Sequence, residues 1–423
     1  MHIIISTIGT YGDVYPHIAV GQVLAKRGHE VQLLTSEFFR EHVEKAGLPF
    51  ISALSAEDYI AAVRDPDNGH PWRCLRAGWR HLLPAISVGY AELIRHARPG
   101  ETVLLGSTGA FWVRLAQENF SYPAATMHLS PSFLFSAEDP PQYALLPWLA
   151  CLPTRVIDFA LNQIERLIAD PIMAPGLNML RASIGLPPVS HICRRWAHSP
   201  ELVIGAFPDW FVHPAGDWPP NTVCTGIPKP VTDEGRALSP ALSAFLDGGG
   251  PPIAITSGSS MPHARDFFAR ALEACRTLGK RLVLVTAFRD QLPENLPDFA
   301  FHAAYAPFGL LAPRVAAFVH PAGIGTIGLL LAAGTPQLLT PFANDQFDNA
   351  ARTARLGAGL MLKPRASVAR WVETLTALLE SAAVKQACAD LSRRITGAPP
   401  AAEKIADLVE GLKGDSVRKP MTG

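Results

Sequence analysis

Charge of either sign, paired cysteines and the common nucleotide fingerprints are what this chain has little of. Charged residues make up 17% of 423 positions, and 37 basic side chains balance 37 acidic ones. A nucleic-acid binder would show a basic excess, and none stands out. The six cysteines stand at 74, 151, 193, 224, 275 and 388, without a CxxC or a close pair. That spacing suits neither a zinc site nor a disulfide framework and fits a reducing cytosol. No GxxxxGK[ST] and no GxGxxG occurs, so the usual ATP and NAD signatures are missing. No basic region precedes the first apolar run, and no signal peptide is expected. The most membrane-like stretch, 143–161, is broken by Pro147, Pro153, Arg155 and Asp158. It reads as core or the floor of an apolar pocket, not as a spanning helix.

What is there is enough apolar material, 48% of the chain, for two ordinary cores. In the first half, 2–6, 30–34, 102–105 and 124–127 read as strands, and 18–26, 38–46, 85–96 and 111–119 as helices. The second half repeats the alternation, with strands at 253–256, 282–286, 316–320 and 337–340. Its helices are expected at 264–278, 324–333, 345–355 and 368–381. Such alternation implies βαβ units around parallel sheets, with ligands at the carboxyl ends of the strands. The proline- and tryptophan-dense stretch between the halves is linker chemistry. The expected organisation is an N-terminal domain 1–212, a linker 213–232 and a C-terminal domain 233–398. A helix at 399–413 and a frayed tail at 414–423 follow.

The most informative segment is His320-Pro-Ala-Gly-Ile-Gly-Thr326, between an apolar strand and a helix. Strand, glycine-bearing turn, helix is the arrangement that points backbone N–H groups and a helix dipole at a phosphate. With no P-loop lysine, it is a diphosphate site without phosphoryl-transfer apparatus, which suggests a nucleotide-sugar. Pro341-Phe-Ala-Asn-Asp-Gln346 and Asn349 follow it.

Taken in order, Tyr305-Ala-Pro307, His320, Thr326, Gly334-Thr-Pro336, Asp345-Gln346, Asn349 and Leu356-Gly357 resemble the donor signature of family 1 glycosyltransferases, which have the GT-B fold. The segment from Ser6 through Gly12-Asp-Val14 to Pro16 resembles the same family's acceptor-side loop. Within the family, Trp196-Ala-His-Ser-Pro200, Phe207-Pro-Asp-Trp-Phe211 and Asp345-Gln-Phe-Asp-Asn349 are most similar to the rhamnosyltransferases of rhamnolipid synthesis. The resemblance implies an α/β architecture of two Rossmann-like domains facing an interdomain cleft. The C-terminal helix is expected to cross back to the N-terminal domain.

It also implies roles. His320 and Thr326 match phosphate contacts, Gly323 and Gly325 allow close backbone approach, and Ser259 in Gly258-Ser259 matches a second phosphate loop. Tyr305 matches the ring that stacks on the base, with Ala306 pairing the base edge; Asp345 and Gln346 match the pair that holds the transferred sugar. Each has a plainer reading: His320 as a satisfied core histidine, Tyr305 as core packing, Asp345 as a helix N-cap. Many UDP-sugar members carry a glutamate one helical turn after the histidine, for the ribose hydroxyls. Here the stretch reads Ile327-Gly328-Leu329, which leans toward a dTDP-sugar.

For the chemistry, inverting transfer needs a base on the acceptor hydroxyl and donors on the leaving diphosphate. Asp13 is the candidate base, with His17 as rival. Pro16 favours a first helical position, which would put the cap at Tyr15 and leave Asp13 outside the helix; a capping role for Asp13 is the plainer reading. Histidine-type members pair their base with an aspartate after a later strand, but here that region reads Gly106-Ser-Thr-Gly109. Trp72, Trp79, Phe111, Trp112, Met127, Phe133, Phe135, Leu145 and Trp148 offer apolar surface for an acceptor, most of it ordinary core.

The expected activity is metal-independent transfer of L-rhamnose from dTDP-L-rhamnose to a hydroxyacyl lipid, without a cofactor. A UDP-glucose-dependent sterol or natural-product transferase, and a non-catalytic nucleotide-sugar binding subunit, are the alternatives. The expected site is the cytoplasm, with the inner membrane face or an acyl-supplying protein as the partners that suit a lipid acceptor.

Overall fold

The computed structural model describes residues 1–70, 73–142, 148–229, 237–258 and 264–415. They form two compact units, Met1–Lys229 with the C-terminal segment from Pro400, and Pro230–Pro399.

The first unit is built on seven strands: β1 His2–Ser6, β2 Glu30–Ser36, β3 Phe50–Leu54, β4 Thr102–Ser107, β5 Ala124–His128, β6 Leu202–Gly205 and β7 Thr222–Cys224. Their order is β3-β2-β1-β4-β5-β6-β7, and every pairing is parallel. The second unit has β8 Ile253–Thr256, β9 Leu282–Val285, β10 Ala300–Ala303, β11 Ala317–His320, β12 Gln337–Leu339 and β13 Gly359–Met361. Its order, β10-β9-β8-β11-β12-β13, is again all parallel. Both are doubly wound sheets whose order reverses once, between β1 and β4 and between β8 and β11. Ligands of such sheets collect at that reversal, outside the carboxyl ends of the strands.

Parallel strands are covered on both faces, so they read as continuous apolar runs. Ile3, Ile4 and Ile5 of β1 and Leu282, Val283 and Leu284 of β9 are all fully buried. In the first unit Trp79, Phe111, Trp112 and Trp196 pack with Ile4, Leu34 and Leu104 in one cluster.

The stretch read as linker is part of the first unit up to Lys229. β7 lies inside it and pairs with β6, and the Asp217 carboxylate accepts from Ser136 Oγ at 2.6 Å and from the Ala137 N–H. Prolines mark its turns, but backbone and carboxylate pairing tie it down. The helix Ala401–Asp415 also belongs to the first unit and packs on the helix Tyr11–Lys26. Ile405, Ala406 and Val409 form its buried stripe, while Arg27 pairs with Glu403, Asp407 and Glu410 at the rim. The buried stripe carries the docking, since exposed ion pairs contribute little. Among the described residues no helix is long and apolar enough to cross a membrane.

Candidate active site

At the reversal point of the first sheet, β1 leads into the loop 7–10 and the helix Tyr11–Lys26. The helix starts five residues before Pro16, which sits inside it. This corrects the expectation that Asp13 lies outside the helix. Proline costs little there, because the carbonyl it cannot serve belongs to exposed Gly12. Asp13 is the third helical residue, and its Oδ2 accepts from the Thr10 N–H at 2.7 Å and from Thr10 Oγ1 at 3.2 Å. It therefore does hold the N-terminus.

That does not exhaust the carboxylate. Asp13 keeps part of its surface open, and desolvation raises its pKa against the lowering effect of the two Thr10 bonds. Gly9 has φ +133° and lies so close that a Cβ there would overlap the Asp13 carboxyl group. Gly9→Ala should displace the carboxylate and lower turnover about tenfold or more, since misplacement by about 1 Å is this costly. Unchanged turnover of this variant in a transfer assay would deny the carboxylate that role. His17, the rival base, is fully buried, with its Nδ1 2.7 Å from the Asp13 carbonyl oxygen. Burial takes its pKa down to about 4, so it stays neutral, and its ring is closed to solvent.

Sequence reading missed what surrounds this loop. Tyr11 packs edge-on against Phe39 at 5.1 Å between ring centroids, and Phe38 stacks on Tyr59 at 4.5 Å. The Asp13 charge is felt at Tyr59, whose pKa burial and that charge both raise. The available signal was Phe38-Phe39 directly after β2, whose carboxyl end neighbours that of β1. Of the residues read as acceptor surface, Trp79, Phe111, Trp112 and Met127 are buried core. Phe133 and Phe135 are half-buried and Trp148 is exposed, while Trp72 and Leu145 lie outside the described residues. After β4, where a partner aspartate was sought, Thr108 Oγ1 instead meets His128 Nδ1 at 2.9 Å. His128 Nε2 in turn lies 2.9 Å from His198 Nδ1, and burial keeps both rings neutral.

In the second unit, β11 ends in the turn 320–323 and the helix Ile324–Ala333 begins. The first intrahelical bond runs from the Ile327 N–H to the Gly323 carbonyl, which leaves the N–H groups of Ile324, Gly325 and Thr326 for another acceptor. Gly323, Gly325 and Thr326 are partly exposed. Among the described residues, a Cβ on either glycine would meet no atom within 4 Å beyond its chain neighbours and its own helix backbone, so no described packing needs glycine at these two places. A Cβ on Gly258 would meet Pro321 Cγ at 3.4 Å, so the loop after β8 begins beside this turn. Ser259 lies outside the described residues.

His320 does not point out of this turn. Its ring is completely buried, with Nε2 3.0 Å from Gln337 Oε1 and Nδ1 accepting from the Ala322 N–H at 3.2 Å. Since Nδ1 accepts, Nε2 carries the proton and donates a hydrogen bond to Gln337 Oε1. The expected donor to phosphate is thus committed to core partners, the plainer of the two readings. Spacing alone could not reveal the acceptor, because Gln337 comes from the neighbouring strand.

Tyr305 follows β10 and is 55% exposed, so its ring is not core packing; Ala306 beside it is buried. Asp345 precedes the helix Gln346–Arg355, but its side chain does not cap it. Its Oδ2 accepts from Asn349 Nδ2 at 2.8 Å. Gln346 Oε1 accepts from the Phe342 and Ala343 N–H groups, so it shapes its own loop as well as facing outward in part.

The chain is 32% identical over 426 residues to O-mycaminosyltylonolide 6-deoxyallosyltransferase of Streptomyces fradiae, covering 96% of this chain and 94% of that protein. It belongs to the GT-B glycosyltransferases. The family described as Erythromycin biosynthesis protein CIII-like, C-terminal domain, matches residues 270–411 of the enzyme, and the Glycosyltransferase family 28 N-terminal domain matches residues 3–97. In fold, the enzyme superposes on the glycotransferase of kitacinnamycin with a TM-score of 0.76 at 18% identity, covering 97% of this chain and 98% of the other. Against spinosyn rhamnosyltransferase SpnG complexed with thymidine diphosphate the TM-score is 0.66 at 19% identity, covering 96% and 100%. The likeness runs to these antibiotic-type glycosyltransferases, and nothing in it supports the narrower assignment to rhamnolipid synthesis.

Proposed function

We propose that this glycosyltransferase moves a 6-deoxyhexose from a dTDP-sugar to a hydroxyl of an apolar natural product, with inversion and without a metal. One observation carries the reading. Along the carboxyl edge of the second sheet stand, in strand order, exposed Tyr305 after β10, the Gly258 loop after β8, the glycine-bearing turn after β11 and Asp345-Gln346 after β12. Base, diphosphate and sugar of a nucleotide-sugar follow one another in the same order. Three strand spacings separate the first and third of these, roughly 14 Å, which a nucleoside diphosphate can bridge.

The leaving diphosphate is taken by the N–H groups of the helix start and by Thr326. Asp13 accepts the proton of the attacking hydroxyl, and its raised pKa suits that task near neutrality. The absence of a carboxylate at Ile327-Gly328-Leu329 favours a 2′-deoxynucleotide. Deoxysugar transfer and thymidine diphosphate in the names of the two relatives agree with this. dTDP-L-rhamnose is one donor of this class. A hydroxyacyl-lipid acceptor rests on local sequence likeness alone, and is one arm of the acceptor panel beside polyketide and glycopeptide alcohols.

The test is ligand-dependent melting. dTDP and UDP should raise the melting temperature in the presence of a chelator, and GDP should not; at a hundred times Kd the gain is about 2.7 kcal/mol. Stabilisation that needs magnesium would refute the metal-independent reading, and preference for GDP would refute the donor assignment.

A further inference from the structure

Ala322 has φ +72°, a left-handed conformation that residues with a Cβ rarely adopt. It is held from both sides. His320 Nδ1 accepts from its N–H at 3.2 Å, and Asn349 Nδ2 donates to its carbonyl at 3.2 Å. The same Asn349 amide donates to Asp345 Oδ2, and Gln337 Oε1 fixes the His320 ring from behind. His320, Ala322, Gln337 and Asn349 are all fully buried, so these bonds form in low dielectric, where they hold geometry firmly. Thr340 adds its N–H and hydroxyl to the His320 carbonyl, at 2.9 and 3.1 Å. The conformation of Ala322 decides where the next residues, Gly323 and Ile324, direct their N–H groups.

We propose that His320 and Asn349 are positioning residues that clamp Ala322 left-handed and so preset the turn 323–326 for a diphosphate, without His320 touching the ligand. The inference rests on the diphosphate reading above. Its consequence is that His320 acts through its Nδ1 acceptor, whereas a direct phosphate contact would act through the Nε2–H donor. Burial lowers the ring's pKa to about 4, which keeps Nδ1 unprotonated and able to accept.

Two substitutions separate the roles. The amide oxygen of asparagine reaches the Nδ1 position, and the amide nitrogen of glutamine reaches that of Nε2. Calorimetric dTDP affinity should therefore stay within about threefold of wild type for His320→Asn and fall about tenfold or more for His320→Gln. Adding Ala322→Gly to His320→Gln should restore most of the loss, because glycine takes the left-handed conformation without a clamp. The reverse ranking, or no rescue by Ala322→Gly, overturns the proposal. Should the variants not fold, 15N-histidine NMR of the wild-type enzyme decides. The Nε2–H signal of His320 should stay put on adding dTDP, and a large shift would mean direct contact. Wild-type enzyme that does not bind dTDP would instead remove the diphosphate reading beneath the proposal.

Discussion

Asp13→Asn lowers the rate of sugar transfer by at least ~10² while leaving dTDP affinity unchanged, because general-base catalysis contributes roughly 10²- to 10⁴-fold. Asparagine keeps the shape and can still accept from the Thr10 N–H, so the helix start survives. If helix capping were the whole role of Asp13, the variant would turn over normally, and the base would have to be another group. The raised pKa gives the same residue two further signatures. The acid limb of kcat/KM should lie above the ordinary carboxylate range, since the base must be ionised. Stability should move the other way. With its folded pKa above its unfolded value, the carboxyl binds more protons in the folded state between the two. Its contribution to stability is therefore full below the unfolded pKa and is lost as pH rises through the folded one. At neutral pH the partly desolvated charge costs stability that asparagine does not, so Asp13→Asn should melt at or above wild type. That advantage should vanish below about pH 4. A variant both inactive and less stable at pH 7 would mean that the substitution damaged the fold.

The interior strands were legible for a physical reason: β1, β2, β4, β5, β8, β9, β11 and β12 have neighbours on both edges and are largely buried, so their runs are mostly apolar. The strands that sequence reading missed include all four sheet edges, β3, β7, β10 and β13. β7 and β13, Thr222–Cys224 and Gly359–Met361, are only three residues long and carry partly open side chains. β6 is the exception, an apolar interior strand of only four residues between Pro200 and Pro208. The sites followed the same logic. The helix Ile324–Ala333 and its glycine turn were legible because their geometry is local. The partners that hold the turn were not, because Gln337 reaches His320 across the sheet and Asn349 reaches the Ala322 carbonyl from the next helix. Pro16 misled for a local reason, being tolerated inside a helix whose start Thr10 and Asp13 define.

Gly325→Ala should move affinity and stability in opposite directions. Gly325 is the second residue of its helix, its φ is not positive, and among the described residues a Cβ there meets no atom within 4 Å outside its own helix backbone and chain neighbours. Alanine thus fits the fold and removes unfolded-chain entropy, a gain of about 0.4–1 kcal/mol. In the proposed complex that same open space holds the diphosphate, and its N–H is one of the groups without an intrahelical acceptor. A methyl group there keeps a phosphate oxygen from the N–H. Losing one charge-assisted hydrogen bond costs about 1.5–3 kcal/mol, which is roughly a 10- to 150-fold weaker dTDP complex. The measurement is a melting curve and a dTDP titration on the same sample. A higher melting temperature with undiminished affinity would mean that the diphosphate sits elsewhere. A lower melting temperature would mean that the glycine serves the fold. Only a more stable enzyme that binds dTDP poorly is consistent with a glycine kept for the ligand, because packing selects for the residue that the ligand excludes.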